Sequence, residues 1–190
     1  MLEIPLTQGK NAIIVGAMPE AVSLRPATEA DCWRVFAWKN LPENVAISAS
    51  RQPVTEAEHA TWYAATISHL DRLLFIIEPS RGMVRLDKAG GTAWVSVYLE
   101  PEARAQRIGT KSIQIACQAA SFAWPDLREI RAKVRSDNPA SLRAFARAGF
   151  ADTGENIRGQ LRYFARVPEP HRGQPGATDA PIHPVPGGDV

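Results

Sequence analysis

Cysteine is scarce: Cys32 and Cys117 are the only two in 190 residues. Two thiols are too few for a disulfide framework or a cysteine-built zinc site, and both fall in helix-like stretches. They read as buried thiols, and no metal is expected. A dominant charge of one sign is lacking too. A formal net charge of +2 gives no field that would draw the whole surface to nucleic acid, so any affinity for anions must come from local clusters. No apolar run approaches the roughly 18 residues of a membrane span, and the first residues lack the basic-then-apolar plan of a secretory signal. The expectation is a cytoplasmic protein with no nucleic-acid or membrane partner. The length suits one domain with a core of its own.

Large apolar residues are also nearly absent from residues 167–190, where Pro168, Pro170, Pro175, Pro181, Pro184 and Pro186 alternate with glycines. Such a segment buries too little surface to fold and reads as a flexible tail. Residues 1–20 hold one short apolar run, 12–15, and read as an N-terminal arm. The domain is expected over residues 21–166.

Within it, helical and strand-like patterns alternate, which points to an α/β architecture. A short strand over 22–25 precedes a helix through about Lys39, begun by the capping pair Thr28 and Asp31. Residues 40–53 read as a long loop. Thr55 and Glu58 form a second capping box for a helix to about Leu70 that carries Ala57, Thr61, Ala64 and Ala65. Apolar runs at 73–77, 83–87 and 92–99, separated by Gly-containing turns, read as an antiparallel meander.

The stretch 95–111 carries the most chemistry: a buried strand runs into a basic loop that opens a helix. A helix start offers unpaired N–H groups and a positive dipole end, which suits a phosphate or pyrophosphate. Arg104, Arg107 and Lys111 add charge there. On the helix that follows, Ile113, Ala116, Cys117 and Ala120 recur at i, i+3, i+4 and i+7, giving a small-residue face for close packing. Residues 129–135 alternate charged and apolar side chains with the period of a half-buried strand. Asn138-Pro139 starts another helix, with Leu142, Phe145 and Ala146 inward and Gly149 at its end. Strands over 150–152 and 161–167 close the pattern.

This order of elements, the basic Gly loop, and Asn138-Pro139-Ala140-Ser141-Leu142-Arg143-Ala144-Phe145 followed by Ala148-Gly149-Phe150 resemble the GNAT superfamily of acyl-CoA-dependent N-acetyltransferases over about residues 22–166. Trp38-Lys39-Asn40, His59 with Trp62, Val84-Arg85-Leu86-Asp87 and Val95-Ser96-Val97 resemble one branch of it. That branch acetylates amino-sugar nucleotides in pseudaminic-type acid biosynthesis and is related to ribosomal-protein N-terminal acetyltransferases. The resemblance implies a GNAT fold: a central mixed, mostly antiparallel sheet with a splayed pair of strands and helices on both faces. It implies acetyl-CoA as cosubstrate and a small-molecule amine, carried on a nucleotide-linked sugar, as acceptor. A homodimer is a further expectation.

By the same resemblance Val97, Tyr98 and Leu99 lie against pantetheine, and Gln106, Arg107, Ile108, Gly109 and Thr110 wrap the pyrophosphate with Arg104 and Lys111 beside them. Asn138, Ser141 and Phe145 flank the cofactor side. Two positions depart from the family pattern. Arg107 stands where a Gly is usual, and Phe145 where many members carry a Tyr that protonates the departing thiolate.

No residue declares itself the base. His59 has a suitable intrinsic pKa, Glu100 ends the central strand, and Tyr98 or Tyr63 could replace the missing phenol. Each also has a plainly structural reading. Trp38, Trp62, His59 and Arg51 are the candidates to shape the acceptor pocket, the aromatics by stacking and Arg51 by meeting a diphosphate. Acetylation of a protein N-terminus, which favours an open, acid-lined groove, and a CoA-binding module without turnover remain as alternatives.

Overall fold

Alternating apolar side chains build one sheet with two dissimilar faces. The computed structural model describes residues 22–48, 50–79, 81–157 and 159–168; the expected arm at 1–20 and all but Val167 and Pro168 of the expected tail lie outside them. Its strands are β1 (Ser23–Pro26), β2 (Arg72–Glu78), β3 (Gly82–Ala89), β4 (Thr92–Leu99), β5 (Glu129–Arg135), β6 (Ala151–Ile157) and β7 (Leu161–Arg166). They form a single sheet in the order β1-β2-β3-β4-β5-β7-β6, in which β4 and β5 are parallel and every other neighbouring pair is antiparallel. Helices α1 (Cys32–Asn40), α2 (Pro42–Ile47), α3 (Glu56–Ile67), α4 (Ile108–Ala123) and α5 (Pro139–Arg147) complete the fold, with 3-10 turns at Glu29–Asp31 and Pro101–Ala103. This mixed α/β architecture, a mostly antiparallel sheet with helices packed on both faces, is the one the resemblance implies.

One face of the sheet holds the larger core. Val84, Leu86, Ala93, Val95, Ile130 and Ala132 meet Ile113, Ala116, Cys117 and Ala120 of α4 there, the side chains expected from its spacing. Ala116 and Ala120 are fully buried, and short side chains at these sites let the helix approach the strands closely. On the other face Leu74, Ile76 and Met83 pack with Val35 and Trp38 of α1 and Tyr63 of α3.

Several expectations are corrected. The stretch 40–53 contains α2, a six-residue helix started by Pro42, with Asn44 buried. Helix α3 ends at Ile67, and its inward side is His59, Tyr63 and Thr66, while Ala57, Thr61, Ala64 and Ala65 face outward. Ala146 is exposed, because in α5 only Phe145 is fully buried. Strand β6 runs to Ile157 rather than stopping at 152. Cys32 is half-buried and Cys117 buried, so only one thiol sits in the core.

Candidate active site

Strands β4 and β5 pair only through Thr92 with Glu129, Ala93 with Ile130 and Trp94 with Arg131. Beyond Trp94 the two strands part, and the edge of β4 over residues 95–99 faces no strand. A cleft opens in the gap. On the α4–α5 face it widens into a cavity of about 520 Å³ lined by Val97, Leu99, Arg107, Gly109, Asn138 and Ser141 among others. On the opposite face a second cavity of about 310 Å³ is lined by Arg85, Asp87, Trp94, Ser96, Tyr98, Lys133, Arg135 and Phe145. Val97, Asn138 and Ser141 border both. The two cavities therefore share a wall at the gap between β4 and β5.

The loop before α4 takes a glycine-like path without glycine. Arg107 has φ +61° and ψ 6° and stands at the N-cap of α4, and Ala105 also has φ +61°. Left-handed backbone at a residue with a Cβ costs on the order of 1 kcal/mol or more and persists where the surroundings impose it. Arg107 thus keeps the backbone turn that a Gly would supply and adds a guanidinium to the cavity wall. Ile108 and Gly109 begin the helix in the buried layer, and a Cβ on Gly109 would stand 3.2 Å from Cδ1 of Leu99. That spacing lets the helix start lie directly against β4.

Other residues of the loop are engaged differently. Arg104 lines the cavity but turns its guanidinium to Oδ1 of Asn44 (3.0 Å) and the carbonyl of Leu99 (3.3 Å), tying β4 to α2. Gln106 points away, donating to the Glu102 carbonyl and accepting from Arg81. Lys111 is exposed one turn along α4, where a shallow cavity is bordered by Arg107, Thr110 and Arg147. Asn138 caps α5, its Oδ1 accepting from the Ser141 N–H at 3.1 Å, and is itself buried.

On the opposite face Ser96 and Tyr98 alternate along β4 and line the second cavity, while Glu100 stands one residue past the end of the strand, outside the lining of both cavities. Tyr98 lines the cavity, and burial raises its phenol above the ordinary range. Glu100 accepts from Nε1 of Trp38 at 2.7 Å. Trp38, expected to shape an acceptor pocket, is 3% exposed, belongs to the core below α1 and lines neither cavity. His59 is 1% exposed and lies outside both cavities, ringed by Trp33, Phe36, Trp62 and Tyr63. Its Nε2 donates to the carbonyl of Cys32 at 2.9 Å, which leaves Nδ1 as an unpartnered acceptor. Burial lowers its pKa, so the ring stays neutral near pH 7. Lys39 and Arg85 both lie over the ring of Trp62, at 4.8 and 5.1 Å. Arg51 reaches across 86 residues of sequence to Asp137 at 2.6 Å.

Residues 22–151 match the family model described as an acetyltransferase (GNAT) domain. The chain belongs to the GNAT acetyltransferase family. It is an acetyl-CoA-dependent N-acetyltransferase. Solved structures share the fold at low identity. A spermidine N-acetyltransferase from Vibrio cholerae, in complex with CoA and spermine, is 20% identical with a TM-score of 0.66, over 77% of this chain and 95% of that one. An aminoglycoside acetyltransferase in complex with coenzyme A and kanamycin is 17% identical with a TM-score of 0.64, over 77% and 95%. A Salmonella typhimurium protein described as an acetyltransferase, with its cofactor acetyl-CoA, is 21% identical with a TM-score of 0.65, over 83% and 99%. A comparison with curated protein sequences finds no significant match.

The second cavity of the acetyltransferase is lined by residues to which the sequence reading gave no site role: Trp94, Lys133 and Arg135, with Arg85 and Asp87, which it quoted only as part of a motif. Their signal was present as a period of two. In β5 the apolar Ile130, Ala132 and Val134 face α4, so Arg131, Lys133 and Arg135 must face the other way. Among the described residues no group of His, Cys, Asp and Glu is placed to hold a metal ion, and no helix is long and apolar enough to cross a membrane.

Proposed function

We propose that this acetyltransferase acylates the amino group of an anionic small molecule, an amino sugar carried on a nucleoside diphosphate, by direct attack on acetyl-CoA. The supporting observation is the charge of the second cavity: Arg85, Lys133 and Arg135 line it with Asp87, and since Asp87 pairs with Arg85 and Asp137 with Arg135, Lys133 leaves the lining positive. A cleft of that sign favours a phosphate-bearing acceptor and disfavours polycations of the kind bound by the structural neighbours. An acid-lined groove for a protein N-terminus would carry the opposite charge.

The α4–α5 cavity suits the thioester cosubstrate, which supplies an activated acetyl group. The unpaired edge of β4 at Val97, Tyr98 and Leu99 offers backbone donors and acceptors to pantetheine amides. The left-handed turn at Arg107 and the N–H groups of Ile108, Gly109 and Thr110 favour the pyrophosphate. Glu100, with one carboxylate oxygen held by Trp38, takes the amine proton through solvent with the other. Tyr98, protonated at neutral pH, returns a proton to the thiolate in place of the phenol that Phe145 lacks. The buried His59 is a structural residue in this reading.

Thiol release measured with an amino-sugar nucleotide, the free amino sugar, spermidine and an N-terminal peptide tests the assignment. The nucleotide-linked sugar is expected to give the highest kcat/KM, by about tenfold or more, the worth of one charge-assisted contact. Preference for spermidine or the peptide would overturn it. CoA binding with no turnover on any amine would instead establish a non-catalytic module.

A further inference from the structure

We infer that Lys133, Trp94 and Tyr163 form a subsite for the nucleoside diphosphate end of the acceptor, an inference that rests on the function proposed above. The first observation is how the cavity's cations are paired. Nε of Arg85 lies 2.8 Å from Asp87, and Arg135 is gripped by Asp137 through two contacts of 2.9 and 2.8 Å. Lys133 is exposed and has no carboxylate partner among the described residues. It is therefore the lining cation whose charge is left for a ligand, and a phosphate is the group that would complete it.

The second observation is the surface around that amine. Lys133 lies over the ring of Tyr163, its cross-strand partner on β7, at 5.9 Å. Tyr163 meets Trp94 edge to face at 5.9 Å, and the guanidinium of Arg131 sits against both rings at 5.3 and 5.6 Å. Glu155 holds Arg131 in place at 2.5 Å. Trp94 and Tyr163 are only half-buried and join neither hydrophobic cluster, so their surface is not spent on the core. Aromatic faces bracketed by cations take a base by stacking while the neighbouring ammonium takes its phosphates. Since Trp94 and Lys133 both line the acceptor cavity, the subsite continues outward from the point where the amine must sit. An acceptor laid across it runs from the gap between β4 and β5 toward β7.

The test is binding of uridine 5′-diphosphate to the full chain with CoA at saturation, so that the pyrophosphate loop is filled. The expected result is measurable binding, weakened about tenfold by Lys133→Gln and by Trp94→Leu, the loss of one charge-assisted contact or one stacked base, with CoA affinity kept in both. Displacement of the probe by CoA, or equal binding to Lys133→Gln, would overturn the subsite. Inorganic pyrophosphate is the companion probe, and binding as tight as that of the nucleotide would remove the aromatic part. Thermal melting screens each variant, and if Trp94→Leu does not fold, Tyr163→Leu takes its place. The outcome is separable from the proposed function because it needs no turnover. Lys133-dependent binding with no amino sugar acetylated sinks that function alone, and acetylation without nucleotide binding sinks the subsite alone.

Discussion

The indole Nε1 of Trp38 donates to Oε1 of Glu100 at 2.7 Å, joining the core beneath α1 to the end of β4. The bond fixes one carboxylate oxygen and leaves the other to receive a proton. Glu100→Gln retains an oxygen for Trp38 but removes the base. Turnover should therefore fall by about 10²-fold or more, in the range of general-base removal, with little change in melting temperature. A kcat within a factor of about two of the native value would take Glu100 out of the mechanism.

Arg107 combines an unfavourable backbone with a useful charge. Arg107→Gly should leave stability unchanged or raise it by up to about 1 kcal/mol, because glycine adopts this φ freely. The same change should weaken acetyl-CoA binding about fivefold, the equivalent of roughly 1 kcal/mol for one exposed charge contact. Unfolding and cofactor titration on the same variant would then move in opposite directions. An unaltered Kd would assign the guanidinium to solvent.

Gly109 lies against Leu99, with 3.2 Å from a Cβ at this position to Leu99 Cδ1. Gly109→Ala needs a shift of a few tenths of an ångström and should be tolerated. Gly109→Leu must push Leu99 out of the cavity wall, and acetyl-CoA affinity should drop about tenfold or more, as overpacking at this point costs roughly 1–3 kcal/mol. Equal affinity in both variants would argue against a cofactor between α4 and β4.

Asp31 anchors β1 to the start of α1. Two 2.7 Å contacts from Arg25 hold its carboxyl down at about 2, with help from the Thr28 N–H at 2.9 Å, against an ordinary value of 3.8. Because the folded value is the lower one, this stabilisation is complete above the unfolded pKa and is lost as pH falls toward 2. The loss amounts to roughly 2 kcal/mol. Unfolding followed between about pH 4 and pH 2 should show a shallower decline in Asp31→Asn; identical slopes would reject the linkage.

The elements that carry strong periodicity could be read from the chain alone. Residues 129–135 alternate so regularly that the strand and the observed β5 coincide, and the small face of α4 followed from its i, i+3, i+4, i+7 spacing. Elements without periodicity were lost. Helix α2 has six residues and little beyond Pro42 to announce it, and β6 is exposed along its whole length, so no burial pattern marked its end. The site divided in the same way. Local features, such as the loop at Arg107 and the cap at Asn138, were visible in the sequence. Partners distant in sequence were not: Asp137 occupies Arg51, Asn44 turns Arg104, and rings from α1 and α3 enclose His59. A helix-face histidine looks the same in sequence whether solvent or aromatic rings surround it.

Tyr98 and Phe145 both line the cavity that also holds Arg85 and Lys133, one with a phenol and the other without. Burial keeps the Tyr98 phenol protonated, and Phe145, 4% exposed, packs edge to face on Phe150 at 5.2 Å. If Tyr98 donates the proton to the leaving thiolate, Tyr98→Phe should cut kcat by about 10²-fold, a typical general-acid contribution, while the KM for acetyl-CoA moves little. Adding Phe145→Tyr to that variant places a phenol where relatives often carry one and should restore part of the rate. The pH profile separates rescue from repacking, because only a working phenol restores the alkaline limb that Tyr98→Phe loses. Native kcat in Tyr98→Phe would exclude the role outright, and a double variant no faster than the single one would show that Phe145 does not face the sulfur.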